Sequence, residues 1–168
     1  MSKKPLGRLR GEAFTGKGYG TLRYHLFKNA RDHIETCIRE GYHCEAIAII
    51  ESVIADRLES RLSFLKGENV GFKTLGWLLA NLAKIESDEE IQRIIALLDA
   101  WRERRNRALH ELVKVEVDGS RDDWQTRLDN LGVDARDGYE LLKWIYTRVA
   151  DLNPLHSSRV FPPPRQRL

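Results

Sequence analysis

Long apolar runs are absent from this sequence, and so are most of the residues that build specialised sites. No stretch approaches the ~20 consecutive apolar residues that a membrane helix needs, so no span is expected. Cysteine is scarce: Cys37 and Cys44 are the only 2 in 168 residues. That is too few for a disulfide framework, and their spacing matches no zinc motif. With 1 Met, this usage fits a reducing cytoplasm. The opening segment MSKKPLGRLRGEAF is positively charged but has no apolar core, so it does not read as a secretory signal. There is no glycine-rich phosphate loop, no internal repeat and no strand–helix alternation, which argues against a nucleotide-binding α/β fold and against a solenoid. No cofactor is expected.

What is present is a balanced mixture, 42% hydrophobic and 32% charged, of a length that suits one domain with a real core. The net charge of +3 is unevenly spread. Residues 1–31 carry eight Lys/Arg against one acid, Glu12, and residues 159–168 carry three Arg and no acid, which leaves the span between them near −7. Basic ends of this kind can contact nucleic-acid phosphates, or serve only as solubilising tails.

Residues 1–19, with Pro5 and several glycines, read as an irregular basic arm. A first helix is expected over about 21–40, capped by Thr21, with Leu22, Leu26, Ala30, Ile34 and Ile38 inward and Gly41 as its stop. A second spans about 43–66, with Ala46, Ile50, Val53, Leu58, Leu62 and Leu65 inward, and a shorter one about 73–85. Ser87 and Glu90 stand in capping-box spacing before a fourth helix, about 88–112. VKVEVDG alternates like a short extended segment ending in a turn. RDDWQTRLDNLG reads as a short helix closed by Gly132, and Asp134 as the cap of a last helix, about 135–151. Residues 153–168 form a Pro/Arg-rich tail. The fold class expected is all-α: an antiparallel four-helix bundle over residues 20–152, with short extra helices.

The fourth helix holds the most informative pattern. Its apolar seam runs Ile91, Ile94, Leu98, Trp101, then Arg105, then Ala108 and Leu112. An arginine in a packing seam is costly unless its charge is matched, and neither Trp101 nor Leu109 one turn away can match it. Its counter-charge must therefore come from another helix, another chain or a bound anion. At ~100° per residue, Asn106 lies ~100° and His110 ~140° around the helix from Arg105, with Asn106 and His110 one turn apart. A fixed cation, an amide and an imidazole that titrates near neutral pH form a suitable set for cutting RNA without metal. One His per chain supplies one proton carrier; a twofold dimer would supply two. Arg102, Arg104 and Arg107 are expected to be solvated.

At RNRALHE the chain resembles the HEPN superfamily, whose R-x(4–6)-H motif is matched by Arg105 and His110 with Asn106 in the polar first position. The motif covers six residues; the helical architecture covers roughly 20–152. The resemblance implies a metal-independent endoribonuclease in which Arg105 and His110 are catalytic and Asn106 orients them, at a composite site formed across a homodimer. It also implies RNA as substrate, a cytoplasmic toxin or host-defence effector, and control by an antitoxin or regulatory partner. One toxin subgroup carries a Tyr two residues after the His; here that position is Leu112. An acid on an earlier helix often assists, and Glu51 is the nearest candidate, with Glu45 and Asp56 as alternatives. The other function carried by the same residues is a non-catalytic HEPN-like module that binds RNA, nucleotide or protein. A third is a structural dimer in which Arg105 pairs with a carboxylate across the interface.

His33 and Cys37 stand four apart, but two ligands do not make a metal site, so none is expected. Trp77, Trp101, Trp124 and Trp144 are spaced like packing aromatics.

Overall fold

The computed structural model describes residues 17–114 and 124–152, the side chains at 17–23 and 111 excepted. Within them all regular structure is helical: α1 Lys17–Glu40, α2 His43–Lys66, α3 Leu75–Leu82, α4 Glu89–Glu111 and α5 Trp124–Leu152. The all-α class is as expected. No described helix is long and apolar enough to cross a membrane. Residues 1–16 of the arm, the 153–168 tail and most of VKVEVDG lie outside the described residues.

Two glycines punctuate the first hairpin. Gly41, at φ +83°, turns the chain between α1 and α2 in a conformation other L-residues rarely adopt, and Tyr42 N donates to Cys37 O at 2.8 Å across that corner. Gly67, at φ +67°, closes α2 in a Schellman arrangement: Gly67 N donates to Phe64 O at 3.3 Å and Glu68 N to Ser63 O at 3.2 Å.

Several sequence expectations are corrected. Thr21 is not where the helix starts, because α1 already begins at Lys17. On α1, Ile34 is buried and Ala30 and Ile38 pack against the core as expected, but Leu26 is exposed, and Phe27 and Cys37 are buried beside them. The cap of α4 is Asp88 rather than Ser87. The amides of Ser87 and Asp88 both donate to Glu86 Oε1, at 3.0 and 2.9 Å, so the chain enters the helix one residue late, and Asp88 Oδ1 accepts from Ile91 N at 2.9 Å.

Gly132 and Asp134 do not separate two helices; α5 runs through both. Gly132 lacks a side chain for packing reasons. A Cβ there would lie 2.8 Å from His43 Nε2. Gly138, six residues on, gives the same room to Trp101, whose ring would come within 2.5 Å of a Cβ. Close approach of α5 to α2 and α4 thus selects glycine inside a helix, where propensity alone would oppose it.

The pairings fix how the helices run. His33 meets Glu45 while Phe27 meets Arg57, so α1 and α2 run in opposite senses. Asp88 meets Arg148 while Trp101 meets Asp134, so α4 and α5 do too. His43 lies against Gly132 and Arg57 against Tyr146, so α2 and α5 run in the same sense, and this is the broadest helix contact in the fold. Its core is built from Ile47, Ile50, Ile54, Leu58, Trp101, Leu142, Ile145 and Val149, all essentially without solvent exposure.

Candidate functional site

The seam of α4 is buried as expected through Ile91, Ile94, Leu98 and Trp101, and Arg105 continues it at 9% exposure. Its counter-charge comes from the same chain: Arg105 Nη2 forms a short ion pair with Glu51 Oε1 on α2. The pair sits at the edge of the core, with the arginine side chain 11% and the glutamate side chain 32% exposed. A carboxylate from a second subunit is therefore not needed to balance this cation. Arg105 Nε is buried and has no hydrogen-bond partner among the described residues. The guanidinium carbon stands 5.6 Å from the Trp101 ring centroid, against a ring whose Nε1 donates to Asp134 O at 2.8 Å. The arginine is thus held from three directions: by its helix, by an indole locked to α5, and by Glu51.

The rest of the set is arranged around it. Asn106 is half-buried, and His110 is exposed in the last turn of α4. His110 makes no hydrogen bond or ion pair with Arg105 or Glu51 among the described contacts. One chain therefore brings Arg105 and Glu51 together, and exposes His110 without bonding it to either. Of the acids considered for support, Glu51 meets Arg105; Asp56 instead accepts from Arg57 Nη2 at 2.8 Å, and Glu45 lies 2.9 Å from His33 Nε2.

The other arginines of the stretch are not all free. Arg107 is exposed. Arg102 pairs with Asp99 at 2.8 Å, and Arg104 reaches Asp134 at 3.3 Å and Asp137 at 3.0 Å on α5. The Arg104 contacts tie the catalytic-candidate end of α4 to α5.

Several charged residues that sequence patterning did not single out are buried. Arg61 forks onto Glu86 at 2.8 and 2.9 Å, linking α2 to the start of α4. Burial pushes the Glu86 carboxyl up, but Arg61 and the amides of Asp88 and Ser87 outweigh it, so the group titrates below its ordinary range. Asp88 is lowered mainly by its hydrogen bonds with Arg148. Arg57 lies against both rings of an edge-to-face aromatic pair, with its guanidinium carbon 4.6 Å from the Phe27 centroid and 5.0 Å from that of Tyr146. The only signal available was position: Arg57 and Arg61 adjoin Leu58 and Leu62 on a helix buried around much of its circumference.

The tryptophans divide. Trp101 is core, and Trp144 donates to Glu90 at 2.9 Å. Trp77 and Trp124 are exposed, contrary to expectation; the ammonium groups of Lys66 and Lys73 stand 5.7 and 5.1 Å from the Trp77 ring centroid.

Set against known protein families, curated proteins and solved structures, the chain matches none of them.

Proposed function

We propose that this chain is an HEPN-type, metal-independent endoribonuclease that works as a homodimer with a composite site. The observation that carries the reading is Arg105: a guanidinium in a packing seam, matched on one side by Glu51 and left with a buried, unpartnered Nε. A purely structural arginine rarely keeps an orphaned buried donor. A phosphate oxygen is the acceptor such a donor suits.

The roles are those that the resemblance implies. The ribose 2′-oxygen attacks phosphorus, forming the P–O2′ bond as the P–O5′ bond breaks. His110 of one protomer takes the 2′-hydroxyl proton, and His110 of its partner gives a proton to the leaving 5′-oxygen. Arg105 stabilises the charge that builds on the phosphorus oxygens, Asn106 orients the set, and Glu51 holds Arg105 in place. The products are a 2′,3′-cyclic phosphate and a 5′-hydroxyl. The basic arm and tail supply backbone affinity. A cytoplasmic toxin or host-defence effector, held in check by an antitoxin or regulatory partner, is the role this activity suits.

A second reading rests on the same ion pair. Glu51 already neutralises Arg105 within one chain, which is what a non-catalytic HEPN-like module that binds RNA, nucleotide or protein would need. Incubating the purified chain with total RNA in EDTA separates the two. Fragments with cyclic phosphate ends that disappear in Arg105→Ala and His110→Ala support the first; intact RNA that is nonetheless bound supports the second. Activity that requires added metal contradicts the proposed chemistry.

A further inference from the structure

The corner between α1 and α2 gathers three ligand atoms of different chemistry. His33 and Cys37 are one turn apart on α1, and the turn at Gly41 folds the first turn of α2 back over them, bringing Glu45 alongside. His33 Nε2 lies 2.9 Å from Glu45 Oε1, and the ligand atoms of His33, Cys37 and Glu45 all lie within 4.8 Å of one another. Sequence spacing identified the first two residues; only the fold supplies the third.

We propose that His33, Cys37 and Glu45 form a binding site for a divalent zinc-class cation that clamps α1 to α2. The donor set is one imidazole nitrogen, one sulfur and one carboxylate oxygen, which suits a borderline-soft ion and does not suit Mg²⁺ or Ca²⁺. Tetrahedral zinc with bond lengths of about 2.0–2.3 Å sets its ligand atoms about 3.4 Å apart. The His33–Glu45 separation of 2.9 Å needs to open by about half an ångström, and any gap up to 4.8 Å needs to close by about 1.5 Å at most. Side-chain rotation on the surface covers such shifts, since the His33 and Glu45 side chains are 53% and 55% exposed.

Cys37 is the fixed member. It is 1% exposed and packed in the core, and its carbonyl accepts from Tyr42 N, so its backbone is fixed at the corner while the exposed His33 and Glu45 side chains can move toward its Sγ. On binding, Cys37 releases its thiol proton to solvent and the cation takes the place of the His33–Glu45 hydrogen bond. The exposed side leaves the fourth position to water. Glu45 stands six residues before Glu51 on α2, about 9 Å along the helix axis. The site is therefore separate from Arg105 and rests on no part of the ribonuclease reading.

The test uses the full chain and Co²⁺ or Zn²⁺ alone. Co²⁺ titration is expected to give a thiolate-to-cobalt charge-transfer band at one ion per chain. The band is expected to vanish in Cys37→Ser and persist in Cys44→Ser, which changes the exposed neighbouring thiol. Zn²⁺ affinity by calorimetry should fall at least tenfold in His33→Ala and in Glu45→Gln, since even outer-shell changes cost about 10–100-fold. Zn²⁺ should also raise the melting temperature of the wild type more than that of His33→Ala. No charge-transfer band, a band lost in Cys44→Ser but kept in Cys37→Ser, or unchanged affinity in His33→Ala each overturns the proposal. His33→Ala alters an exposed residue, so it decides the matter even if Cys37→Ser does not fold.

Discussion

Removing Glu51 tests how Arg105 is held. Breaking a fully buried ion pair by deleting one partner costs about 3–5 kcal/mol, and an exposed pair is worth about 0–1 kcal/mol. The Arg105–Glu51 pair lies between these limits, at 11% and 32% side-chain exposure. We expect Glu51→Ala to cost about 2 kcal/mol, because it strands a buried guanidinium whose Nε already lacks a partner. Arg105→Met should cost less, about 1 kcal/mol or under, since Met fills similar volume and the remaining carboxylate can hydrate. The double variant should then resemble Arg105→Met alone, a coupling of about 2 kcal/mol in the cycle. Urea unfolding of the four proteins measures this, and thermal unfolding should show Glu51→Ala lower by about 4–8 °C. If Glu51→Ala is neutral, or the two changes simply add, Arg105 is not held by Glu51 and the positioning argument fails.

Further outcomes follow from the packing and charge network. Gly138→Ala forces a Cβ to within 2.5 Å of the buried Trp101 ring, so it should destabilise by about 1–3 kcal/mol in urea unfolding and disturb Arg105 through the indole. Asp88→Ala removes both the α4 cap and one of the two carboxylates paired with Arg148, and should lower stability by about 1–2 kcal/mol in the same assay. Glu86 and Asp88 titrate lower in the folded chain than their ordinary values of 4.5 and 3.8. Their contribution is therefore complete above those values and lost as pH falls below them; unfolding followed by circular dichroism should show stability dropping from about pH 4.5 downward, and less steeply in Glu86→Gln. Burial and the hydrogen bond to Glu35 raise the Tyr139 hydroxyl above its ordinary value of 10.0. That contribution is complete below pH 10 and lost above it, so alkaline unfolding should be displaced in Tyr139→Phe.

The residues explain which features were legible beforehand. Helix α2 was readable end to end because its apolar spacing and its flanking Gly41 and Gly67 agree. Arg105 was readable because a charge interrupting a 3–4 seam is a local anomaly. Its partner was not, since which carboxylate of α2 faces α4 depends on how two helices are rotated against each other. Gly132 misled for a related reason. A glycine that ends a helix and one that admits His43 look alike in sequence, and only the packed neighbour distinguishes them. The burial of Arg57 and Arg61, and the meeting of Glu45 with His33 and Cys37, likewise arise from helix pairing that no local pattern encodes.

Cleavage of a defined RNA in EDTA by wild type and by His110→Ala tests the central claim most directly. His110 is exposed and lies outside the core, so its replacement leaves the fold intact and isolates the chemistry. The account predicts 2′,3′-cyclic phosphate ends from the wild type and a rate lower by about 10²–10⁴-fold in His110→Ala, the range that a general acid–base group contributes. Equal rates in the two proteins, or no cleavage by a wild type that folds and binds the RNA, would contradict it.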